Sequence, residues 1–369
     1  LKILVVTVDN DRSDAEVFRL MERQGHQVHV VAAPSWPDGS VFDNSGVTLT
    51  RLAIRHRLDF RAVREVRRRI QEFLPDIIYA PRNKSLSVSM MAARGSAVPV
   101  VGYRGTIGHL SRWDPASWLT YLHPRLANIV CVSEAVRQYL LTMRVSADRL
   151  TTIYKGHRVS WYAACETDDN LDAFGVPSEA FKVGFTGNMR PVKGVDVLLR
   201  SLVLVPPELN VHVCLIGEVR DKRVAALCRR PDIAPRVHLA GYQPKASRFC
   251  GAFDVFVMPS VEREGLPRAV IEAMAKGVPP IVSDAGGMPE LVENGVSGLV
   301  VPARDPKALA EAIATMARSG SLRRQYGEQA QRRIEAVFNV DETASRMLDL
   351  FTRLVGKRCQ GATGDMETV

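Results

Sequence analysis

The chain has no Cys-x-x-Cys pair, little aromatic character and no long apolar run. Its six cysteines, at 131, 165, 214, 228, 250 and 359, lack the spacing of a metal-ligand set. That argues against a zinc module and against a disulfide scaffold, and favours a reducing compartment. Cys131 and Cys214 fall inside apolar runs, where thiols are usually inert core. Aromatic residues make up 7% and do not interleave with the basic clusters, which argues against a nucleic-acid surface. No apolar stretch approaches the roughly 18 residues of a membrane-spanning helix. No signal-peptide pattern opens the sequence, so a cytoplasmic location is expected. The phosphate loop G-x-x-x-x-G-K-[ST] is also missing.

What is present is an ordinary globular composition, 46% hydrophobic and 24% charged over 369 residues. Such a length predicts two domains. Net charge is +9, and its densest source is residues 51–69, where Arg51, Arg55, Arg57, Arg61, Arg64, Arg67, Arg68 and Arg69 stand against Asp59 and Glu65. Arg57, Arg61, Arg64 and Arg68 follow helical spacing, with Val63, Val66, Ile70 and Phe73 on the other face. A face of this kind suits an anionic lipid surface on the inner side of a membrane or a phosphorylated acceptor, and equally a plain solvated helix.

Strand-like runs alternate with helical patterns throughout. The first half reads as strands at 2–8, 27–33, 76–80, 98–102, 128–133 and 150–154, the second as strands at 181–186, 210–216, 236–240, 254–259, 279–283 and 298–301. This predicts an α/β protein of two facing, doubly wound, Rossmann-like parallel-sheet domains. The domains are expected at 1–165 on the acceptor side and at 178–338 on the nucleotide side. A polar linker at 166–177 would join them. A last helix at 339–356 would pack back towards the first domain, and 357–369 would form a tail. Ligands of such folds lie at the carboxyl ends of the strands.

The most informative feature is a pair of glutamates eight residues apart, Glu264 and Glu272, following the apolar run Val255-Phe256-Val257-Met258. One carboxylate at a strand exit and a second on the next helix would face one crevice. Two hydrogen-bond acceptors so placed suit a ligand with two polyhydroxylated rings. Taken alone, the spacing also fits a loop charge and a solvated helix residue. Earlier in the same half, Phe185-Thr186-Gly187-Asn188-Met189-Arg190-Pro191-Val192-Lys193-Gly194 reads as a strand, a loop and a helix start. Lys193 and Arg190 beside a helix N-terminus form a candidate diphosphate site, or an ordinary turn. Gly241-Tyr242 ends a strand that could hold a base, and Gly286-Gly287 would let backbone approach a ligand.

In this order, Gly187, Lys193-Gly194, Gly241-Tyr242, Glu264-Gly265, Glu272-Ala273-Met274-Ala275, Gly286-Gly287 and Pro289-Glu290 resemble the family-four (group 1) retaining glycosyltransferases of GT-B fold. The resemblance covers about residues 181–315 and is weaker in the first half, at Gly25-His26 and Ser133-Glu134. It implies a nucleotide-sugar donor, a glycan, lipid-linked or small-molecule acceptor, no cofactor and no obligatory metal. Glu264 would touch the donor sugar, helped by the amides of Gly265 and Leu266. Glu272 would hold the ribose hydroxyls. Lys193 and Arg190 would hold the diphosphate, with Gly187, Asn188, Gly241 and Tyr242 completing the donor site. His109 would face the sugar from the first domain. Transfer would run from the nucleoside diphosphate to an acceptor hydroxyl with retention, in envelope glycan, lipopolysaccharide or glycolipid synthesis.

The chain departs from the family pattern at three places. Ser13-Asp14 stands where Gly-Gly is usual, and acidic groups there would repel an anionic acceptor. Asn188 replaces a loop arginine, and Lys155-Gly156-His157-Arg158 replaces an Asn-Gly-x-Asp stretch. Asp9-Asn10-Asp11 leaves a divalent ion open. Two other readings stay open: an epimerase or phosphorylase of related architecture, and a silent sugar- or lipid-binding scaffold.

Overall fold

The computed structural model describes the chain except residues 10, 35–41, 164–170 and 365–369 and the side chains of 163 and 359–364. It divides into two compact units, Leu1–Gly156 with Val340–Val369, and His157–Asn339.

The first unit holds a sheet of β1 (Lys2–Val6), β2 (Gln27–Ala32), β3 (Thr48–Arg51), β4 (Ile77–Ala80), β5 (Val100–Arg104), β6 (Leu126–Cys131) and β7 (Leu150–Thr152). Its order is β3-β2-β1-β4-β5-β6-β7, and every pairing is parallel. Ile3 to Val6 are fully buried, as expected for a central parallel strand covered on both faces. Helix Arg12–Arg23 buries Ala15, Val17, Phe18 and Met21, and helix Val340–Gly364 packs against it. The aromatic chain Phe18, Tyr79, Phe351 fills the space between, with centroids 6.3 and 5.9 Å apart. The order reverses at β1, so the carboxyl ends of β1 and β4 flank a crevice, the usual ligand position.

The second unit repeats the design with β8 (Phe181–Thr186), β9 (Val211–Ile216), β10 (Val237–Gly241), β11 (Val255–Met258), β12 (Pro280–Ser283) and β13 (Leu299–Val301). The order is β10-β9-β8-β11-β12-β13, again all parallel. Helices Val195–Leu204 and Pro306–Arg318 cover one another through buried Leu198, Leu199, Leu202, Ile313 and Met316. Here the crevice opens between β8 and β11. Each unit is thus the expected doubly wound parallel sheet. Burial pushes the thiols of Cys131 and Cys214 up to about 12, in keeping with inert core cysteines. No helix among the described residues is long and apolar enough to cross a membrane.

Four boundaries differ from the sequence reading. The first unit gives way to the second at His157, not at 165, because the His157 amide bonds Phe338 O at 2.6 Å and its ring meets Tyr162 Oη at 2.7 Å inside the second unit. The linker expected at 166–177 lies outside the described residues up to 170. Beyond that, Leu171 is buried and Phe174 meets Phe249 edge-to-face, centroids 5.3 Å apart, so this stretch is part of the second unit. The final helix runs to Gly364 rather than giving way to a tail at 357. A glycine such as Gly356 costs a helix about 1 kcal/mol. A helix already anchored by buried Leu350 and Phe351 absorbs that cost. Finally, β3 was not foreseen.

Candidate functional site

The chain leaves β8 through Gly187, Asn188, Met189 and Arg190, makes a 3-10 turn at Pro191–Lys193 and enters helix Val195–Leu204. Buried Met189 anchors the loop, its amide donating to Glu218 O at 2.9 Å and its carbonyl accepting from Arg220 N at 3.1 Å. Gly194 has φ 62°, and a Cβ there would stand 2.0 Å from the carbonyl oxygen of Pro259. Only glycine allows this approach, and it brings the loop after β8 onto the loop after β11. The Val261 amide closes the join by donating to Val192 O at 2.9 Å.

The result is a direct pairing of the two residues expected to do the chemistry. Lys193 Nζ donates to Glu264 Oε1 at 2.6 Å, and Ser260 Oγ donates to the same oxygen at 2.9 Å. Both charged side chains are mostly covered, 16% and 13% exposed, so water screens their attraction only in part. Among the described residues Glu264 Oε2 receives no donor, which leaves the carboxylate an accepting face for a ligand hydroxyl. Gly286, with φ 63°, lies against the Glu264 backbone: a Cβ would meet Glu264 O at 2.1 Å, and the Gly287 amide donates to that oxygen at 3.2 Å. The sequence reading set this glycine pair beside a ligand; the structure sets it against Glu264.

Glu272 is the fifth residue of helix Arg268–Ala275 and is buried, with Arg268 Nε donating to its Oε1 at 2.7 Å. The two glutamates therefore keep separate cationic partners. Arg190 is exposed and has no side-chain partner among the described residues, and Asn188 beside it is exposed too. Gly265 is buried and Leu266 half-buried. Gly241 ends β10 with φ 65° and accepts the Gly217 amide at 2.7 Å, while Tyr242 presents a ring 71% exposed. These donor-site candidates all belong to the second unit. His109 belongs to the first, exposed, with φ 61°. A left-handed backbone at a non-glycine residue is uncommon and often marks a functional loop.

Sequence reasoning missed Ser260 and Arg268. Arg268 was legible as the i, i+4 partner of Glu272, whereas nothing in a strand-exit serine announces its contact.

The crevice of the first unit is also charged. Asp11 caps helix Arg12–Arg23, accepting from the amides of Ser13 and Asp14. Lys155 Nζ lies 3.0 Å from a carboxylate oxygen of both Asp11 and Asp14, and Arg82 Nε lies 2.8 Å from Asp9. Ser13 Oγ donates to Gly156 O at 2.6 Å. Burial pushes the Asp14 carboxyl up, with Lys155 pulling the other way. Burial acts to lower Lys155, but Asp14 and Tyr103 outweigh it and raise the ammonium well above its usual range. Burial likewise pushes the Tyr103 phenol up to about 12. The acids at this helix start are thus ion-paired with Lys155 and Arg82. Lys155 and Gly156, given no role from the sequence, serve here as ion-pair partner and hydrogen-bond acceptor. Asn10 of the Asp9-Asn10-Asp11 triplet lies outside the described residues. Among those described, no group of three metal-ligating side chains converges.

Residues 180–319 match the model of the group 1 glycosyl transferases, and residues 15–161 match that of glycosyltransferase family 4. The chain belongs to the group 1, family 4 glycosyltransferases. It is 30% identical over 196 residues to the lipopolysaccharide core biosynthesis mannosyltransferase LpcC of Rhizobium leguminosarum bv. viciae, over 51% of this chain and 55% of that protein. To the capsular polysaccharide biosynthesis glycosyltransferase CapM of Staphylococcus aureus it is 25% identical, over 60% and 62% of the two chains. The chain spans about half the length of the curated relatives it matches first. Among solved structures, Anabaena Alr3699/HepE in complex with UDP aligns at a TM-score of 0.78 and 21% identity, covering 96% of this chain and 100% of that one. This family member therefore has two parallel-sheet units of the GT-B type.

Proposed function

We propose that this family member transfers a glycosyl unit from a nucleoside-diphosphate sugar to an acceptor hydroxyl, with retention at the anomeric carbon. The observation that carries the reading is the Lys193–Glu264 pair, 2.6 Å apart at the crevice between β8 and β11. A cation for the diphosphate and an acceptor for sugar hydroxyls stand side by side there. Arg190, exposed and without a side-chain partner among the described residues, adds a second cation. Glu272 holds the ribose. The bond from the anomeric carbon to the diphosphate oxygen breaks, and the acceptor oxygen bonds to that carbon from the same face. The acceptor proton passes to the leaving phosphate, whose growing charge Lys193 and Arg190 stabilise.

UDP in HepE favours a uridine donor, and LpcC and CapM favour an acceptor in envelope glycan synthesis. A thermal-shift screen against UDP-, GDP-, ADP- and dTDP-sugars, followed by transfer assays with the stabilising donor, tests the proposal. Stabilisation with transfer supports it. Conversion of the donor without any acceptor would point to an epimerase or phosphorylase, and donor binding without turnover to a silent scaffold. Glu272→Ala should raise the donor KM by roughly tenfold or more, as expected for a lost hydrogen bond to a charged group, and leave kcat nearly unchanged. An unchanged donor KM would remove Glu272 from the donor site.

A further inference from the structure

The arginine-rich segment has no part in donor chemistry, and only some of its charge is matched by carboxylates among the described residues. Helix Phe60–Phe73 buries Ala62, Val63, Val66 and Ile70 against the first unit. Its outer side and the edge strand β3 line an open groove of about 710 Å³, with six arginines against the single carboxylate of Glu65. Some of this charge is already matched. Arg68 and Arg69 pair with Glu65 and Glu72, and Arg67 is held by the carbonyls of Met91 and Ala92. Among the described residues no carboxylate lies within ion-pair distance of Arg57, Arg61 or Arg64.

The same unit also leaves large apolar side chains in water. Leu58 is 45% exposed and Phe60 73%, both where the chain enters the helix from the carboxyl end of β3. Trp113, 95% exposed, follows β5 and precedes helix Pro115–Trp118. In a parallel sheet the segments leaving β3 and β5 emerge at the same edge, the edge that carries the crevice of the first unit. An anion in solution or a polyanionic polymer would answer the arginines and leave Leu58, Phe60 and Trp113 wet. A bilayer answers both, with phosphates for the guanidinium groups and the acyl boundary for the rings.

We propose that this edge of the first unit docks on an anionic phospholipid bilayer through Arg57, Arg61 and Arg64, with Leu58 and Phe60 entering the headgroup boundary. Docking does not depend on the transferase reading. If that reading holds, it sets the carboxyl edge of the first unit at the lipid surface, where a lipid-linked acceptor is delivered by diffusion in two dimensions.

The test is cosedimentation of the whole protein with vesicles of phosphatidylcholine alone and of phosphatidylcholine with about one-third phosphatidylglycerol. Partition into the anionic vesicles only, reversed by high salt, is expected. Arg61→Gln with Arg64→Gln should lower the partition coefficient about 30-fold, two basic contacts being removed. Phe60→Ser should lower it about tenfold through lost apolar burial. These are exposed positions, so both variants should keep the wild-type melting temperature. Absence of anionic-vesicle binding, or binding untouched by the arginine pair, overturns the proposal. So does a protein that is captured equally well by soluble polyphosphate and is indifferent to Phe60→Ser. Donor binding, measured in solution without vesicles, reports separately on the transferase reading.

Discussion

Lys193→Ala should lower the transfer rate by about a hundredfold in a protein that still folds. The size follows from the role. As the anomeric bond breaks, charge builds on the leaving diphosphate, and removing one preorganised donor from such a site costs about a hundredfold or more. The loss should fall mainly on kcat, because the charge that Lys193 meets is larger in the transition state than in the bound donor. In the absence of ligand Lys193 holds Glu264 Oε1 at 2.6 Å, but Ser260 donates to the same oxygen, so the carboxylate keeps one donor when the ammonium goes. Glu264 should therefore stay in place, and the effect should read as chemistry rather than misfolding. Lys193→Arg should not restore the rate, since a planar fork does not replace a compact ammonium. Turnover of Lys193→Ala near the wild-type value, with donor saturating, contradicts the assignment.

Lys155→Ala should destabilise the first unit by about 3 kcal/mol, the lower end for breaking a largely buried pair from one side. Lys155 lies 3.0 Å from Asp11 and from Asp14, with about a sixth of its side chain and of Asp14 exposed. Truncation removes the ammonium that both carboxylates share, and the guanidinium of Arg82 is 3.9 Å from Asp14. For a unit of this size the melting temperature should fall by roughly 6–12 °C. Asp14→Ala added to Lys155→Ala should recover more than half of the loss, because the charge left unpaired is then removed as well. Calorimetry of the three variants checks this. A Lys155→Ala protein that melts with the wild type would show the cluster to be an incidental surface pairing.

The fold was legible because nearly continuous apolar runs such as Lys2–Val6 and Val255–Met258 can only be strands covered on both faces. The strand Thr48–Arg51 escaped for the opposite reason. It lies at the sheet edge, its residues are exposed or half-buried, and its Thr-Leu-Thr-Arg pattern gives no apolar run. In the candidate site, Lys193, Glu264 and Glu272 were marked by their setting between strand ends and helix starts. Their partners were not: Ser260 and Arg268 are ordinary residue types, and the Lys193–Glu264 bond joins two loops through glycine contacts that only coordinates reveal. Lys155 was opaque for a similar reason. Its acids stand at the other end of the first unit's sequence, and β7 carries it back to them.

The account rests on the donor lying at the second unit's crevice, and a crystal of the protein soaked with a nucleoside-diphosphate hexose tests that most directly. Density for the diphosphate within hydrogen-bond reach of Lys193 and Arg190, with a ring hydroxyl on Glu264 and the ribose on Glu272, is the predicted result. Density for the nucleotide sugar away from these four side chains contradicts it.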